Sequence, residues 1–405
     1  MTKAKIGMNK TVSETSNPNK LVVNHVGVWL ARTKTWIYSQ VTQLGPDWQS
    51  WVVADRTENL SEFPHDKIFS VFDHHSRPLW LVETVLCGLG LTRQRLSIRR
   101  FVRALKPDIV HSHFGPVGWR DAAFVRTLDA KHVVSFYGYD VTRLPTSKVW
   151  QKRYAELFDD VDIVLCEGPH MAAAIHHLGC REEKIKVYHL GVNLEAIPFT
   201  PPSWRTGKPL RVFMAARFEE KKGFPYALEA IGVLKKTRPD LKIDVTIVGG
   251  AGETEESQKQ LAAIDRMIKR YDLSDVVCTK GFCSHTEFLQ MAASHDLFLS
   301  PSVVASSGDT EGGAPVSIIE MAAAGLVIVS TKHCDIPYVL GEKNRQILCE
   351  EKDVDALVEE LIWLLDHSEV WPEMARENRL RVEEHFNLRR QGPALAKIYG
   401  EITSS

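Results

Sequence analysis

The sequence predicts an α/β protein with two Rossmann-like, doubly wound domains that face each other across a cleft. Short apolar segments alternate with helix-like segments in two successive series, a pattern typical of strand–helix units around a parallel sheet. A segment rich in proline and glycine, residues 198–209, separates the two series. The chain of 405 residues also exceeds the length that one hydrophobic core usually serves, so two domains are expected.

The first series follows a polar N-terminal segment, residues 1–20, which we expect to be a mobile tail. It assigns residues 21–197 to an N-terminal domain and residues 198–209 to a linker. Its predicted strands are 21–29, 51–54, 108–111, 132–136, 163–166 and 186–189.

The second series assigns residues 210–385 to a C-terminal domain. Its predicted strands are 210–215, 243–248, 276–279, 297–300, 327–330 and 346–349. Its helical patterns include 224–236, 255–271, 354–365 and 371–384. A last helical pattern, 393–402, belongs to a C-terminal segment, residues 386–405, that we expect to pack back on the N-terminal domain.

Composition excludes several classes of protein. The 50 basic and 51 acidic side chains nearly cancel, which argues against a protein that coats nucleic acid. Seven cysteines without a Cys-x-x-Cys pair indicate neither a disulfide framework nor a zinc site, and they fit a reducing cytosol. Without a signal peptide or an apolar stretch of membrane-spanning length, the protein is expected to be cytoplasmic.

One basic segment, residues 91–106, stands out from this balanced composition. Arg95, Arg99 and Arg103 fall on one helical face, and the segment contains no acidic residue. Such a face could contact anionic lipid headgroups at the inner side of a membrane. An ordinary solvated helix face is the alternative interpretation.

The segment 308–331 predicts an anion site. A polar, glycine-bearing loop leads into a helix, so the N–H groups of Gly312, Gly313 and Ala314 are expected at the helix N-terminus, where phosphate binds readily. Glu311 and Glu320 flank this point and offer acceptors for sugar or ribose hydroxyls. The alternative is a capped helix with two solvated acids.

Further candidates follow other strands of the second series. Arg217 and Lys222 come after its first strand, where they could hold a diphosphate and stabilise its charge as it departs. Gly250, Gly281 and Phe282 follow the next two strands, where backbone could approach a nucleotide closely. A charged surface loop and simple tight turns are the respective alternatives.

In the first series, polar loops end two neighbouring strands and should line the same side of the cleft. One loop contains His111, His113 and Gly115, and the other contains Tyr139 and Asp140. The two histidines have the spacing of a metal pair, but no third ligand is placed beside them. Substrate contact is therefore the preferred role, and no metal site is predicted.

Several motifs occur together in a fixed order along the chain. They are Thr35-Trp36-Ile37, His111-Ser112-His113-Phe114-Gly115, Gly138-Tyr139-Asp140, Gly179-Cys180, Gly191-Val192-Asn193, Arg217 with Lys222-Gly223, Gly249 to Gly252, Lys280-Gly281-Phe282, Asp296 to Ser302, and Glu311-Gly312-Gly313-Ala314-Pro315 leading to Glu320. Together they resemble the retaining GT-B glycosyltransferases of family 4, in particular the colanic-acid and exopolysaccharide branch. The resemblance covers residues 21–399.

This resemblance implies a nucleoside-diphosphate sugar as donor and a saccharide or lipid-linked saccharide as acceptor, with no metal and no separate cofactor. Arg217 and Lys222 match positions that hold the donor diphosphate, Glu311 the position that contacts the donor sugar, and Glu320 the position that holds the ribose. The nucleotide is expected on the second domain, and the acceptor on the first. The expected acceptor-side residues are Thr35, His113, Gly115, Tyr139 and Asp140.

Two departures from the family pattern are visible. Eight residues separate Glu311 from Glu320, one more than the family usually has, which should bulge the loop. Tyr137 stands where most relatives have a histidine near the reacting sugar, so either it substitutes there as a hydrogen-bond donor or catalysis is altered. A nucleotide-sugar hydrolase or epimerase, or a non-catalytic nucleotide-sugar-binding subunit, is the alternative function.

Overall fold

The computed structural model describes residues 20–31, 34–74 and 77–404, which form two parallel α/β units. This arrangement confirms the predicted fold class of two doubly wound domains. The expected mobile tail, apart from Lys20 itself, lies outside the described residues.

The N-terminal sheet has seven parallel strands in the order β3-β2-β1-β4-β5-β6-β7. They are β1 Lys20–Trp29, β2 Trp48–Thr57, β3 Ile68–Ser70, β4 Ile109–His113, β5 Lys131–Ser135, β6 Ile163–Cys166 and β7 Ile185–Val187. Strands β4 and β6 are buried throughout, as expected for a parallel sheet covered by helices on both faces. The edge strand β3 was not predicted because three residues are too few to show a pattern.

Eight α-helices accompany this sheet in the described part of the N-terminal half. They are α1 Thr35–Thr42, α2 Val71–His74, α3 Arg77–Gly88, α4 Leu96–Leu105, α5 Gly115–Val125, α6 Gly138–Thr142, α7 Lys148–Asp160 and α8 Pro169–His177.

The C-terminal sheet has five parallel strands in the order β10-β9-β8-β11-β12. They are β8 Leu210–Ala215, β9 Ile243–Val248, β10 Val277–Gly281, β11 Leu297–Ser300 and β12 Val327–Ser330. The predicted sixth strand, 346–349, is wrong. The chain is helical up to Gln346, so only one bridge, between Thr331 and Cys349, joins this segment to the sheet.

Nine α-helices belong to the described chain after the linker. They are α9 Phe224–Thr237, α10 Glu255–Arg270, α11 His285–Ala292, α12 Val316–Ala324, α13 Ile336–Val339, α14 Glu342–Gln346, α15 Val354–Asp366, α16 Trp371–His385 and α17 Leu388–Thr403.

The last helix, α17, returns to the N-terminal sheet. It begins well before the predicted residue 393 because the Asn387 side chain caps it, accepting a hydrogen bond from the Arg389 N–H. Its buried Leu395 and Tyr399 join the core around Val22. The helix therefore ties the C-terminal end of the chain to the first domain.

The linker packs on the C-terminal domain. Trp204 stacks on Trp371 with ring centroids 5.4 Å apart, and the Thr200 N–H donates to the Ala324 carbonyl. These two contacts fix the linker against the C-terminal domain.

Both sheets reverse their winding direction next to their first strand, between β1 and β4 and between β8 and β11. In open parallel sheets, ligands bind outside the carboxyl ends of the strands at such a reversal. The loops after these four strands therefore define where a site should lie.

Candidate active site

A buried ion pair occupies the reversal point of the C-terminal sheet. Lys222, in the turn between β8 and α9, places its Nζ 2.6 Å from Glu311 Oε2. Ser302, just after β11, donates its hydroxyl to Glu311 Oε1 at 2.9 Å. Both acceptor oxygens of Glu311 are thus engaged, and only 6% of its side chain is exposed.

Two lysines keep Glu311 ionised despite its burial. Burial acts to raise the pKa of this carboxyl. Lys222 and Lys221 lower it by more than burial raises it, so the pKa lies below its usual value. Lys221 is itself paired, with its Nζ 3.0 Å from Asp309 Oδ2. The site therefore presents a carboxylate that can accept hydrogen bonds from hydroxyl groups.

A histidine fixes the backbone of this loop. The Glu311 N–H donates to His333 Nε2 at 3.1 Å, and His333 Nδ1 lies 2.6 Å from Glu351 Oε1. This arrangement requires a proton on Nδ1 and a lone pair on Nε2. His333 was missed in the sequence, where its only signal is its place shortly after β12.

The helix that follows the loop begins at Val316, directly after Pro315. The Gly312 N–H already donates to Thr310 Oγ1 at 3.0 Å. The N–H groups of Gly313 and Ala314 have no hydrogen-bond partner among the described residues. Both N–H groups precede Pro315, the cap residue of α12, and Gly313 is buried against Glu167, so the predicted donors lie before the helix rather than in its first turn.

Arg217 lies on the same side of the sheet but is not part of the buried cluster. Its side chain is 55% exposed, and its Nη1 lies 2.7 Å from Glu219 Oε1. The Arg217 end of this pair is open to solvent, although Glu219 is only 22% exposed, so the guanidinium can reach other partners from this position.

Gly250 and Phe282 form a small platform beside these groups. Phe282 is 66% exposed, and a Cβ on Gly250 would lie 3.0 Å from the Phe282 ring. Gly281 has a φ of +69°, a backbone conformation that favours glycine. The turn thus holds an aromatic face open to solvent next to the sheet.

Glu320 projects from α12 and is paired with His285. His285 Nε2 lies 2.7 Å from Glu320 Oε1. This hydrogen bond raises the pKa of His285, while burial opposes the rise. The carboxylate is 14% exposed, so it borders the surface rather than the core.

The opposite domain touches this loop through glycine. A Cβ on Gly138, the first residue of α6, would lie 2.2 Å from the Glu311 carbonyl oxygen. Gly312 has a φ of +77°, and a Cβ on it would lie 2.1 Å from the Gly138 Cα. Thr142 also donates its hydroxyl to Asp309 Oδ1 at 3.2 Å. The two domains are in direct backbone contact over the ion pair.

Two acids from different domains lie at this boundary. Asp335 lies at the N-terminus of α8 in the other domain, where its carboxylate accepts a hydrogen bond from the His170 N–H at 2.7 Å. Glu167 lies against Gly313, at whose Cβ position its Oε2 would be 2.1 Å away. Burial and the neighbouring Asp335 raise the pKa of Glu167 to about 8.

Tyr137 is directed into its own domain. Its hydroxyl lies 2.9 Å from His113 Nδ1, whose Nε2 is 3.3 Å from Asn24 Oδ1. Both side chains are buried. The expected contact of Tyr137 with a donor sugar stays a prediction.

Asp140 is fully buried and holds two loops together. Its Oδ2 accepts hydrogen bonds from the N–H groups of Gly115 at 2.9 Å and Tyr137 at 3.3 Å. Burial raises the pKa of this carboxyl to about 7. Gly115 is itself packed against Tyr154, where a Cβ would lie 2.7 Å from the hydroxyl oxygen.

The expected acceptor-side residues therefore differ in their access to solvent. Tyr139 is 48% exposed, whereas His113 and Asp140 are fully buried. Thr35 begins α1, but its side chain lies outside what the structure describes. Lys34, which the sequence analysis missed, follows β1 and places its Nζ 4.6 Å from the centroid of the Phe114 ring.

The paired histidines serve the core. His111 Nδ1 lies 2.6 Å from the Tyr399 hydroxyl and its Nε2 lies 2.8 Å from Ser135 Oγ. Burial lowers the pKa of His111 to about 3, so the ring is neutral. In the described ranges, no three His, Cys, Asp or Glu side chains are grouped as metal ligands would be.

Two family models match the chain on either side of the linker. The model described as "Glycosyltransferase Family 4" matches residues 42–196, and the model described as "Glycosyl transferases group 1" matches residues 199–381. The match changes from one model to the other close to the start of the linker.

Similar proteins span most of the chain. The "Putative colanic acid biosynthesis glycosyltransferase WcaL" of Escherichia coli (strain K12) is 30% identical over 357 residues, which cover 84% of each chain. The "Amylovoran biosynthesis glycosyltransferase AmsK" of Erwinia amylovora is 31% identical over 305 residues, covering 74% of this chain and 72% of that protein. Among solved structures, Anabaena Alr3699/HepE in complex with UDP and glucose aligns with a TM-score of 0.74 at 14% identity, over 94% of this chain and 100% of its own.

Proposed function

The chain belongs to the glycosyltransferases of group 1 and family 4, and from that premise we propose its donor, acceptor and stereochemistry. The donor is a nucleoside-diphosphate sugar, and the acceptor is a hydroxyl group of a saccharide or lipid-linked saccharide. The product keeps the anomeric configuration of the donor. The relatives named for colanic acid and amylovoran biosynthesis support an acceptor from exopolysaccharide assembly.

The pairing of Lys222 with Glu311 carries this proposal. A cation and a carboxylate lie 2.6 Å apart at the reversal point of the sheet, close to two N–H groups just before α12 that have no hydrogen-bond partner in the described part of the chain. The donor diphosphate takes the Lys222 ammonium and the N–H groups of Gly313 and Ala314. Arg217 leaves its exposed pair with Glu219 to fork onto the same phosphates.

Catalysis in this scheme is electrostatic. As the bond to the sugar breaks, negative charge grows on the departing diphosphate, and Lys222, Arg217 and the helix N-terminus stabilise that charge. The diphosphate itself takes the proton of the acceptor hydroxyl on the face from which it leaves. Retention follows because attack and departure occur on the same face.

The two glutamates bind hydroxyl groups of the donor. Glu311, ionised and held by Ser302, accepts hydrogen bonds from the donor sugar. Glu320 accepts from the ribose after giving up its hydrogen bond with His285. Phe282 and Gly250 supply an aromatic face and a close backbone for the base.

The acceptor lies on the N-terminal domain. Closure of the cleft between the two domains excludes water from the reacting atoms. The exposed Tyr139 and the cation of Lys34 border the space in front of β1 and α6. Buried His113, Tyr137 and Asp140 act as positioning residues for the loops that contact the acceptor.

In this proposal the reaction uses no metal and no cofactor beyond the nucleotide sugar, because Lys222, Arg217 and the N–H donors supply the positive charge that a metal would bring. Full transfer activity in the presence of a chelator is the expected result. A requirement for a divalent cation would overturn this part of the proposal.

Replacement of Lys222 by alanine tests the central assignment. Turnover should fall about tenfold or more, on the order of the loss when one charge-stabilising donor is removed. Lys235→Ala is the control, since Lys235 also pairs with an acid, Asp275, but this pair is exposed and Lys235 lies in the last turn of α9. Equal turnover in both variants would refute the role of Lys222.

Product analysis separates transfer from the alternative functions. Nucleotide release should be slow until an acceptor is added, whereas a hydrolase releases nucleotide without one. A thermal-shift panel of UDP, GDP, ADP and TDP sugars identifies the donor, because ligand at a hundred times its Kd adds about 2.7 kcal/mol of stability. An inverted anomeric centre in the product would contradict retention.

A further inference from the structure

His333 connects neighbouring loops at the carboxyl ends of the C-terminal strands. Its Nε2 accepts a hydrogen bond from the Glu311 N–H at 3.1 Å, and its Nδ1 lies 2.6 Å from Glu351 Oε1. The other carboxylate oxygen of Glu351 accepts a hydrogen bond from the Val304 N–H at 2.6 Å. Because His333 follows β12 and Val304 follows β11, the imidazole and its carboxylate join both strand ends to the loop of Glu311.

The ring of His333 is fixed in place. Its side chain is only 1% exposed, and both of its nitrogens are engaged. The next residue, Cys334, has a φ of +46°, a left-handed conformation that residues with a side chain rarely adopt. Backbone strain of this kind persists where the surrounding structure holds it, and it is concentrated at functional sites. The bend beside His333 therefore indicates a functional role for the position of its ring.

One protonation state of His333 satisfies both hydrogen bonds. A neutral imidazole donates from one nitrogen and accepts at the other. The Glu351 carboxylate only accepts, so the proton lies on Nδ1, and the Glu311 N–H only donates, so Nε2 carries the lone pair. A proton on Nε2 would set two donors against each other and push the loop away from the ring.

The loop bond acts on the residue that forms the buried ion pair. The Glu311 carboxylate is held by Lys222 at 2.6 Å and by the Ser302 hydroxyl at 2.9 Å. Its backbone N–H donates to His333. Without that acceptor the N–H would lack a protein partner behind a buried carboxylate, so the loop would have to shift to find one.

We propose that His333 is a positioning residue for sugar transfer and that Glu351 sets its tautomer. The neutral imidazole holds the Glu311 backbone so that the carboxylate meets the donor sugar. The inference rests on the proposed function, in which Glu311 contacts that sugar. His333 acts through Glu311 and is not itself a catalytic group.

Charged groups around the ring shape its response to acid. They are Glu311, Glu351, Lys221, Lys222 and Lys352. The pKa of Glu311 lies below its usual value, so this carboxyl stays ionised over the range in which imidazoles gain a proton. A loss of turnover in that range is therefore expected from a second proton on His333 and not from protonation of Glu311.

Asparagine and glutamine each replace one nitrogen of the ring. The amide nitrogen of Asn reaches the place of Nδ1, and the amide of Gln extends to the place of Nε2. H333Q can therefore keep an acceptor for the Glu311 N–H, whereas H333N keeps only a donor for Glu351. Turnover should fall about tenfold in H333N, within the range for a buried N–H left unpaired, and stay close to that of the unchanged protein in H333Q.

The acid side of the pH profile gives a readout that a loss of stability alone does not move. Turnover of the unchanged protein should fall as pH drops, whereas H333Q should keep its turnover because an amide does not titrate there. E351Q should be slow at every pH, since its amide can donate to Nδ1 and move the proton to Nε2. Glu167 and Asp140, whose pKa values are raised to about 8 and about 7, are present in all variants, so the difference between profiles reports His333.

Nitrogen-15 NMR of the histidine side chains reads the tautomer without any activity. The signals of His333 are those that disappear in H333Q. A proton on Nδ1 is the expected result near neutral pH. A proton on Nε2 in the unchanged protein would overturn the inference.

His295 provides a matched control in the same domain. Its Nδ1 lies 2.6 Å from the Met291 carbonyl oxygen and its Nε2 lies 2.9 Å from Thr246 Oγ1, but it precedes β11 and so stands at the opposite edge of the sheet. H295N and H295Q should keep the turnover and the acid side of the pH profile of the unchanged protein, even where they lower its melting temperature.

Equal turnover in H333N and H333Q, or an acid loss that persists in H333Q, would overturn the positioning role. Glu311→Gln separates this failure from a failure of the proposed function. A loss of turnover in E311Q with none in H333N refutes the role of His333 alone. Full turnover in E311Q refutes the proposed role of Glu311 and the inference with it.

Discussion

Substituting alanine for Gly138 should uncouple catalysis from donor binding. A Cβ at this position would lie 2.2 Å from the Glu311 carbonyl oxygen, and 2.9 Å from its carbonyl carbon. These are backbone atoms that cannot rotate away, so the two loops must separate. Gly138 begins α6 in one domain while Glu311 belongs to the other, and neither core needs to change.

The required displacement sets the size of the effect. Ordinary van der Waals contact begins at 3.4 Å, so the loops must separate by roughly 1 Å. Misplacing reacting groups by that distance can cost about a hundredfold in rate. We therefore expect kcat of Gly138→Ala to fall by about that factor while the Kd for the nucleotide sugar stays the same.

Steady-state transfer assays and calorimetric donor titrations measure the two quantities. Gly400→Ala is the matched control, because a Cβ at Gly400 meets nothing within 4 Å. Unchanged turnover in Gly138→Ala would show that the contact does not belong to the reactive state. An equal loss of donor affinity would place Gly138 in the donor site and refute the argument from closure.

Three further predictions concern charges around the site. Asp335→Ala should lower both turnover and the free energy of unfolding, the latter by about 1 kcal/mol, because α8 loses its cap from the other domain. Asp353→Ala, which uncaps α15 within one domain, should lower stability alone. Glu167→Gln should flatten the pH dependence of unfolding. The folded pKa of Glu167, about 8, exceeds its usual 4.5, so stability of the unchanged protein should fall by up to about 1.4 kcal/mol per pH unit between these values. The same dependence of the unfolding free energy on pH in Glu167→Gln would contradict the raised pKa of Glu167. His285→Ala should strengthen donor binding at low pH. Because the pKa of His285 is raised, its pair with Glu320 is strongest below that pKa and weakens as pH rises. Calorimetric titration of the donor at several pH values tests this. The same pH dependence of donor affinity in His285→Ala would refute competition between His285 and the donor for Glu320.

Strand positions followed directly from the sequence where short, mostly buried apolar runs alternate with helical segments. Strands β8, β9, β11 and β12 begin and end at the predicted residues. The segment 346–349 is equally apolar, but the preceding helix α14 uses its first residue, so a single bridge forms instead of a strand. An apolar run of four residues cannot distinguish these outcomes.

The residues of the candidate site could be predicted from the sequence, but the pairs that they form could not. Lys222 and Glu311 are 89 residues apart, and only the order of the strands brings their turns together. His113 ends β4 and Asp140 lies in α6, shortly after β5, but a polar side chain at a strand end can point into the cleft or into the domain. Asp140 accepts a hydrogen bond from the Gly115 N–H and His113 pairs with the Tyr137 hydroxyl, so both side chains point into the interior of the domain.

The residues that form the contact between the domains limit its strength. Its centre is glycine backbone at Gly138 and Gly312, which buries little apolar surface. Around that centre lie Glu167 and Asp335, whose pKa values burial raises, so ionising these acids at the boundary costs free energy. Closure is therefore weak unless a ligand adds contacts to both domains. In the proposed reaction, a bound donor and acceptor would supply those contacts, and the same weakness would let the cleft reopen when the product leaves.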